Sequence, residues 1–301
     1  MKKSLFQTGL VPSPFDKRDI LTAEITPDVK RIPKEIPCPF DLNIIDQNGY
    51  PICVGCASAY AKQYLEAKEK IWKKFDPFWI YKKCKEIDGI PHIRGTFFRA
   101  GLKVLQRYGA KPLNEPEKEA EKYKIGGYAR VEPLTFNELK KAIFLYGVVL
   151  LGFRGSNKGW RKAHIRSPRA GEKIFGHAVL GTSYDENYVY FLNSWGDWGN
   201  NGIGYFDKNY LPFEAWVPLL DFPTKAQLLE IVDGWVAKKY LTPDKYHPGQ
   251  IARVNVYRLN LRNAPWGLKV GSLKKGDKVM VIEDENLYKD GYKWVKIKKL
   301  A

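Results

Sequence analysis

The sequence predicts an α+β protein, a helical first half followed by a β-rich second half, with a separate small all-β module at the end. Three observations carry this. Up to Gly147 the apolar residues recur at three- to four-residue spacing, and from Val148 they come in short runs between turn residues. After a stretch at 242–250 holding Pro243, Pro248 and Gly249, an alternating pattern starts again.

The chain has 301 residues, 44% of them apolar, which exceeds one average domain and suffices for a sizeable core. Residues 1–40 hold Pro12, Pro14, Pro27, Pro33, Pro37 and Pro39 among charges without a sustained period, and are expected to form an extended arm lying over the body. The main domain is placed at 41–222, a helix over 225–241 and a linker within 223–250, and the terminal module at 251–301.

In the main domain a helix is expected from Cys53, because Val54, Ala57, Ala61 and Leu65 share one period and neither Gly nor Pro returns between Gly55 and Pro77. That puts Cys53 in the first turn. A second helix is expected over 96–108, with Phe97, Leu102, Val104 and Leu105 inward and Gly109 as its stop. A third opens with the capping box Thr135 to Glu138 and closes before Gly147. Strands are expected at 148–153, 177–181, 188–192 and 202–206. In the terminal module the runs 254–261, 278–282 and 294–297, punctuated by Pro265, Gly267, Gly271, Gly276 and Gly291, suggest a small barrel.

Fifty basic residues against 33 acidic ones give a net charge of +17, which favours anionic partners without choosing among them. The last 51 residues carry 12 basic and 5 acidic residues, so the excess is spread along the chain. The Lys-rich stretch at 68–74 reads as solvated helix surface, and with no nucleic-acid motif beside it no specific nucleic-acid partner is expected. Met1, Lys2 and Lys3 are followed by Gln7, Thr8, Gly9, Pro12 and Pro14 rather than an apolar stretch, and no apolar run approaches a membrane span. The expectation is a soluble chain made in the cytoplasm without a clear signal peptide, its place of action left open, release to the cell wall included.

Four cysteines (Cys38, Cys53, Cys56, Cys84) are too few to staple a chain of this length and demand no redox compartment. Cys38 and Cys84 read as small buried apolar residues. Cys53-x-x-Cys56 has the spacing of a redox pair or half a zinc site, but there is no second Cys pair and no closely spaced His pair; no metal and no cofactor is expected. His92, His164 and His247 have no partner motif and read as ordinary histidines.

Four pieces of sequence fit one chemistry: Gln47, the run Cys53-Val54-Gly55-Cys56-Ala57, the run Gly176-His177-Ala178-Val179, and Asn193-Ser194-Trp195-Gly196. A thiol attacks as thiolate, and a helix N-terminus with a nearby imidazole lowers its pKa. His177 opens a β-type run that can hold its ring against Cys53 for proton transfer. Asn193 ends the following strand, where a hairpin sets it beside His177 to fix the tautomer, with Trp195 covering that bond. Gln47, six residues before Cys53, can aim its amide at an oxyanion beside the Cys53 N–H.

In that order these residues resemble the papain family of cysteine peptidases, particularly its divergent bacterial and phage members, over about residues 40–215. The resemblance implies a two-lobe fold with a helical lobe and a β lobe, a Cys53–His177–Asn193 site assisted by Gln47, and hydrolysis of peptide bonds through a thioester. The stretch from Gly95 through Phe98 to Gly109 resembles the family's substrate-pairing segment, which implies that Gly95 binds substrate main chain with Arg94 at the edge. Pro51-Ile52-Cys53-Val54 replaces the usual Gly-Ser-Cys-Trp, Gly176 stands where an acidic residue is common, and no long helical inhibitory segment is expected before Gln47. Sliding the match so that both cysteines fall on a family Cys-x-x-Cys makes Cys56 an alternative nucleophile, at the expense of a three-residue insertion after Gln47.

Residues 255–297, with Asn260-Leu261-Arg262, Lys275-Gly276-Asp277-Lys278-Val279 and Trp294-Val295-Lys296-Ile297, resemble a bacterial SH3-like domain. That resemblance implies binding to peptidoglycan or an anionic cell-wall polymer through 251–301, with Tyr257, Trp266, Tyr288 and Tyr292 as candidate contacts; docking on the peptidase body or a partner is the other reading. The expected function is a cysteine endopeptidase acting on polypeptides. A peptidoglycan hydrolase such as a phage lysin, and an inactive peptidase fold that binds the wall, are the alternatives.

Overall fold

The computed structural model describes residues 9–25, 32–38, 41–220, 233–242, 251–262, 269–289 and 292–299. They fall into two units, residues 1–22 with 31–222, and 23–30 with 223–301.

A one-turn helix, α1 (Thr22–Ile25), follows the arm. The first unit is then organised around α2 (Cys53–Lys68), in which every residue from Cys53 to Ala67 is buried. A helix enclosed on all sides has few places for charge. Lys62 and Glu66, one turn apart, therefore pair with each other, and the Lys62 ammonium also donates to the Lys124 carbonyl at 3.0 Å. Helix α3 (Pro77–Ile87) was not foreseen, because Pro77 reads as a stop. Here it is the first helical residue, and the Asp76 carboxylate caps the N–H groups of Phe78 and Trp79 at 3.0 and 3.1 Å.

Helix α4 (Phe98–Arg107) begins two residues later than its pattern suggests, since Thr96 commits its backbone to the N-terminal arm. Helix α5 (Phe136–Tyr146) starts as expected: the Thr135 hydroxyl accepts from the Glu138 N–H, and Gly147, at φ 87°, ends it.

These helices accompany a six-stranded antiparallel sheet of β1 (Gly127–Arg130), β2 (Val149–Ser156), β3 (Ile174–Tyr184), β4 (Val189–Leu192), β5 (Ile203–Phe206) and β6 (Glu214–Leu219), in the order β1-β6-β2-β3-β4-β5. The register sets His177 opposite Phe153. β1 and β6, which pair at the sheet edge, were not anticipated.

The second unit is a seven-stranded antiparallel sheet in the order β11-β10-β7-β13-β12-β9-β8. Its strands are β7 (Asp233–Ala237), β8 (Leu241–Thr242), β9 (Ile251–Val254), β10 (Arg258–Arg262), β11 (Lys269–Lys274), β12 (Lys278–Lys289) and β13 (Tyr292–Lys299). Leu241, Val254, Leu259, Leu261, Val279, Val281, Val295 and Ile297 form its core.

One expectation is corrected here. From 233 onward the helix over 225–241 is reduced to the 3-10 turn Lys238–Tyr240: Asp233–Ala237 is β7, hydrogen-bonded between β10 and β13, with Val236 opposite Val295. Gly234 and the β-branched Val236 suit a strand, and pairing on both sides outweighs the local helical period. Residues 225–232 of that helix lie outside the described residues. So do Trp266 with Pro265 and Gly267, His247 with most of the linker, Gly291, the first eight residues and the side chain of Tyr288.

Among the described residues no helix is long and apolar enough to cross a membrane.

Candidate active site

Cys53 is the first residue of α2 and is fully buried. The backbone N–H of Ala178 on β3, the residue after His177, faces its sulfur. His177 Nε2 lies 2.7 Å from Asn193 Oδ1, and that same oxygen accepts the Ser194 N–H at 2.8 Å. A backbone N–H can only donate, so the Asn193 atom is the carbonyl oxygen and His177 Nε2 carries the proton. Nδ1 of His177, buried and without a hydrogen bond, keeps its lone pair.

Aromatic rings enclose this imidazole. Trp195 stacks on it at 4.3 Å and 21°, and Trp160 and Phe175 meet it edge-on at 5.4 and 6.4 Å. Burial in that cage lowers the His177 pKa to about 4, with the Asn193 hydrogen bond opposing the shift. Trp160 also packs on Trp195 and Trp198, and its carbonyl accepts the Trp198 indole N–H at 2.8 Å. Sequence reading missed Trp160 because it stands in a connection with no motif of its own.

Gln47 is buried in a loop zipped to 194–195: its N–H donates to the Ser194 carbonyl at 2.9 Å, and Asp46 bridges Trp195. The Ser194 hydroxyl donates to Gln47 Oε1 at 2.6 Å, and Gln47 Nε2 donates to the Tyr50 carbonyl at 2.6 Å. These two bonds fix which end of the amide is nitrogen. Cys56, also fully buried, lies beside the Ser194 side chain.

The N-terminal arm lies over this group. The Gly9 N–H donates to Cys53 Sγ at 3.3 Å, and the Leu10 N–H donates to the Gly176 carbonyl at 3.2 Å. Thr96 holds the arm on the other side: its N–H donates to Gly9 O at 2.8 Å and its carbonyl accepts the Val11 N–H at 2.9 Å. The Leu10 side chain fills a slot in which it, Glu214 and Phe98 all crowd the Cα of Gly152. Farther along, the Ser13 N–H reaches the Glu214 carboxylate at 3.3 Å, and Asp19 forms a buried ion pair with Arg99.

The fit admits no side chain at two positions of the slot walls and one of the arm. A Cβ on Gly95 would stand 1.9 Å from Gly9 O, one on Gly176 2.1 Å from Leu10 O, and one on Gly9 2.1 Å from Pro51 O. On the Gly95 side, main-chain bonding to the arm thus runs through Thr96, one residue beyond Gly95, which itself has φ 95° and supplies clearance. Arg94 is exposed.

Under this cover the Cys53 thiol is pushed up to about 11 by burial, opposite to the lowering that a helix N-terminus implies. Desolvation outweighs the backbone N–H groups around the sulfur. Thiol and imidazole are therefore both neutral in this state. Elsewhere, Cys84 is buried in α3, Cys38 is half-buried, His92 is exposed, and His164 stacks on Tyr205 with Asp207 3.4 Å away. Among the described residues no three His, Cys, Asp or Glu side chains converge as a metal site.

No known family profile matches the sequence, and no curated protein matches it. Solved structures do resemble it. Xylellain, a cysteine protease from Xylella fastidiosa, aligns with a TM-score of 0.63 at 22% identity over 72% of this chain and 97% of its own. The cysteine protease CMS1MS2 from Carica candamarcensis, solved in complex with E-64, gives 0.52 at 17% identity over 64% of this chain and all of its own. Procathepsin B S9 from Trypanosoma congolense gives 0.57 at 13% identity over 71% and 87%. The fold over that part of the chain is the mixed α+β fold of papain-like cysteine proteases.

Proposed function

We propose that this chain is a cysteine endopeptidase with Cys53 as nucleophile, His177 as base and then acid, Asn193 as the group that orients His177, and Gln47 as oxyanion donor. The observation that carries it is the pairing of His177 Nε2–H with Asn193 Oδ1 at 2.7 Å, which leaves Nδ1 unprotonated on a strand whose next N–H meets the Cys53 sulfur.

In the reaction the Cys53 thiol gives its proton to His177 Nδ1 as sulfur bonds to the scissile carbonyl carbon. The oxyanion takes hydrogen bonds from the Gln47 amide and the Cys53 N–H. Collapse breaks the C–N bond, His177 protonates the leaving amine, and the thioester is hydrolysed by water that returns its proton through His177. In the arm-covered state nothing can enter, so the activity belongs to a form in which residues 9–13 have withdrawn. Gly95, Arg94 and Trp195 are proposed to border the substrate main chain in that form.

The test is hydrolysis of casein by the wild type, Cys53→Ala and Cys56→Ala under reducing conditions, with new amino termini followed. Loss in Cys53→Ala alone supports the assignment; survival there overturns it and favours Cys56. E-64, found in complex with the Carica candamarcensis protease above, is expected to label Cys53, and failure to label an arm-released variant would favour the inactive-fold reading.

A wall-directed reading has one observation of its own. The second unit carries a groove of about 480 Å³ lined by Tyr240, Tyr292, Trp294, Arg258 and Arg262, with the Lys239 ammonium 4.2 Å from the Tyr292 ring. Aromatic faces with cations and no acid suit an anionic polymer. An SH3-like role of this unit in holding peptidoglycan is tested by co-sedimentation of the full chain with purified walls, and release of wall peptides would move the substrate from protein to peptidoglycan.

A further inference from the structure

The Cys-x-x-Cys at the head of α2 has no part in the proposed hydrolysis beyond Cys53. We propose that Cys53 and Cys56 are an oxidative modification site, closed by a peroxide into a disulfide that reversibly switches the peptidase off. For its effect on activity the proposal rests on Cys53 being the nucleophile; the bond itself does not.

The geometry comes from the helix. Residues three apart in an α-helix have Cα atoms about 5 Å apart, inside the range a disulfide spans. The side chains of such a pair lie on neighbouring positions of one face, a little wider than a disulfide requires, so the turn must tighten slightly. This is the turn that can do so. Cys53 is its first residue, its N-cap Ile52 makes no side-chain capping bond, and the Cys56 N–H to Ile52 carbonyl bond at 2.9 Å opens the helical ladder.

The surroundings of Cys56 are unlike those of an inert apolar cysteine. Its thiol meets the Ser194 hydroxyl, which in turn holds Gln47, and it lies close enough to Cys53 for a charge on that sulfur to raise it further. A bond between the two sulfurs therefore removes the nucleophile and pulls on the Ser194–Gln47 link at once. Cys84 belongs to α3 and has no such neighbour thiol.

The step balances as two thiols and one hydrogen peroxide giving one disulfide and two waters. The Cys53 thiolate attacks peroxide, the O–O bond breaks, and Cys53 sulfenic acid and water form. The Cys56 sulfur then attacks the sulfenic sulfur, the S–O bond breaks, and the hydroxide leaves as water with the Cys56 proton. A dithiol reverses it. Because the arm covers Cys53 and burial keeps its thiol protonated, oxidation selects molecules whose arm has withdrawn.

The test exposes the full-length Gly9→Val variant, alone and combined with Cys56→Ser, to graded hydrogen peroxide, followed by dithiothreitol. The peptide containing residues 53 and 56 is weighed and casein hydrolysis is measured. The expected result is a peptide lighter by two hydrogens and full recovery with dithiol when Cys56 is present. With Cys56→Ser the peptide is expected to gain two or three oxygens at Cys53, with at least a tenfold smaller recovery. Oxygen-bearing Cys53 without the 53–56 link when both cysteines are present overturns the proposal. A link that forms in a chain whose activity survives Cys53→Ala leaves the site standing and overturns the proposed nucleophile instead.

Discussion

The Gly9 N–H donates to the Sγ of Cys53 across 3.3 Å. On the proposed mechanism a substrate must offer that sulfur a carbonyl carbon, and the arm offers it an N–H, a pose that the thiol would not cut.

Unseating the arm is expected to release activity. In Gly9→Val the Cβ would sit 2.1 Å from the Pro51 carbonyl, a backbone atom that cannot swing aside. Casein hydrolysis should rise about tenfold or more, because the competent state is no longer a minor fraction. An unchanged rate would show that the arm does not limit access.

The His177–Asn193 cage predicts a pH dependence of stability. With the folded pKa lowered from 6.5 to about 4, the unfolded chain takes up a proton first as pH falls. Stability from this group is complete above pH 6.5 and is lost between about 6.5 and 4, by at most about 3 kcal/mol. Thermal midpoints measured across that window should fall with acid in the wild type and fall less in His177→Gln; parallel curves would assign the loss to other groups.

Ser194→Ala removes the donor 2.6 Å from Gln47 Oε1 and leaves the amide less firmly held, with its nitrogen still on the Tyr50 carbonyl. We expect kcat to fall about tenfold with KM nearly constant, and Gln47→Ala to cost about a hundredfold, in line with the loss of an oxyanion donor. A rise in KM alone would place Gln47 in substrate binding.

Asp19 and Arg99 are both nearly buried, so cutting one strands the other. Asp19→Ala should lower stability by up to about 3 kcal/mol, unless the arm swings away and lets Arg99 reach water, in which case activity rises instead. Denaturant unfolding and casein hydrolysis on the same preparation separate the two, and no change in either would show that the pair contributes nothing.

Trp160→Ala should cost about 3–5 kcal/mol, the range for a large buried ring, and should also raise the His177 pKa as water enters the cage. Imidazole titration by NMR reads the second effect, and an unmoved titration would mean that Trp195 alone sets it.

The α+β order, the Cys53 helix, the Thr135 cap and the pairing of His177 with Asn193 were legible in the sequence. These depend on local signals, namely apolar period, turn residues and short motifs whose side chains have specific chemistry. Tertiary structure alone decided the rest. Asp233–Ala237 became a strand because β10 and β13 pair with it on both sides. Trp160 joined the His177 cage from a loop without a motif, and burial reversed the sign of the thiol shift that the helix terminus implied. Residues 9–13, mere extended chain by composition, became the cover of the site because Gly95, Gly176 and Gly9 leave room for two backbones to meet. Desolvation and close approach depend on what lies across space, and no local pattern encodes them.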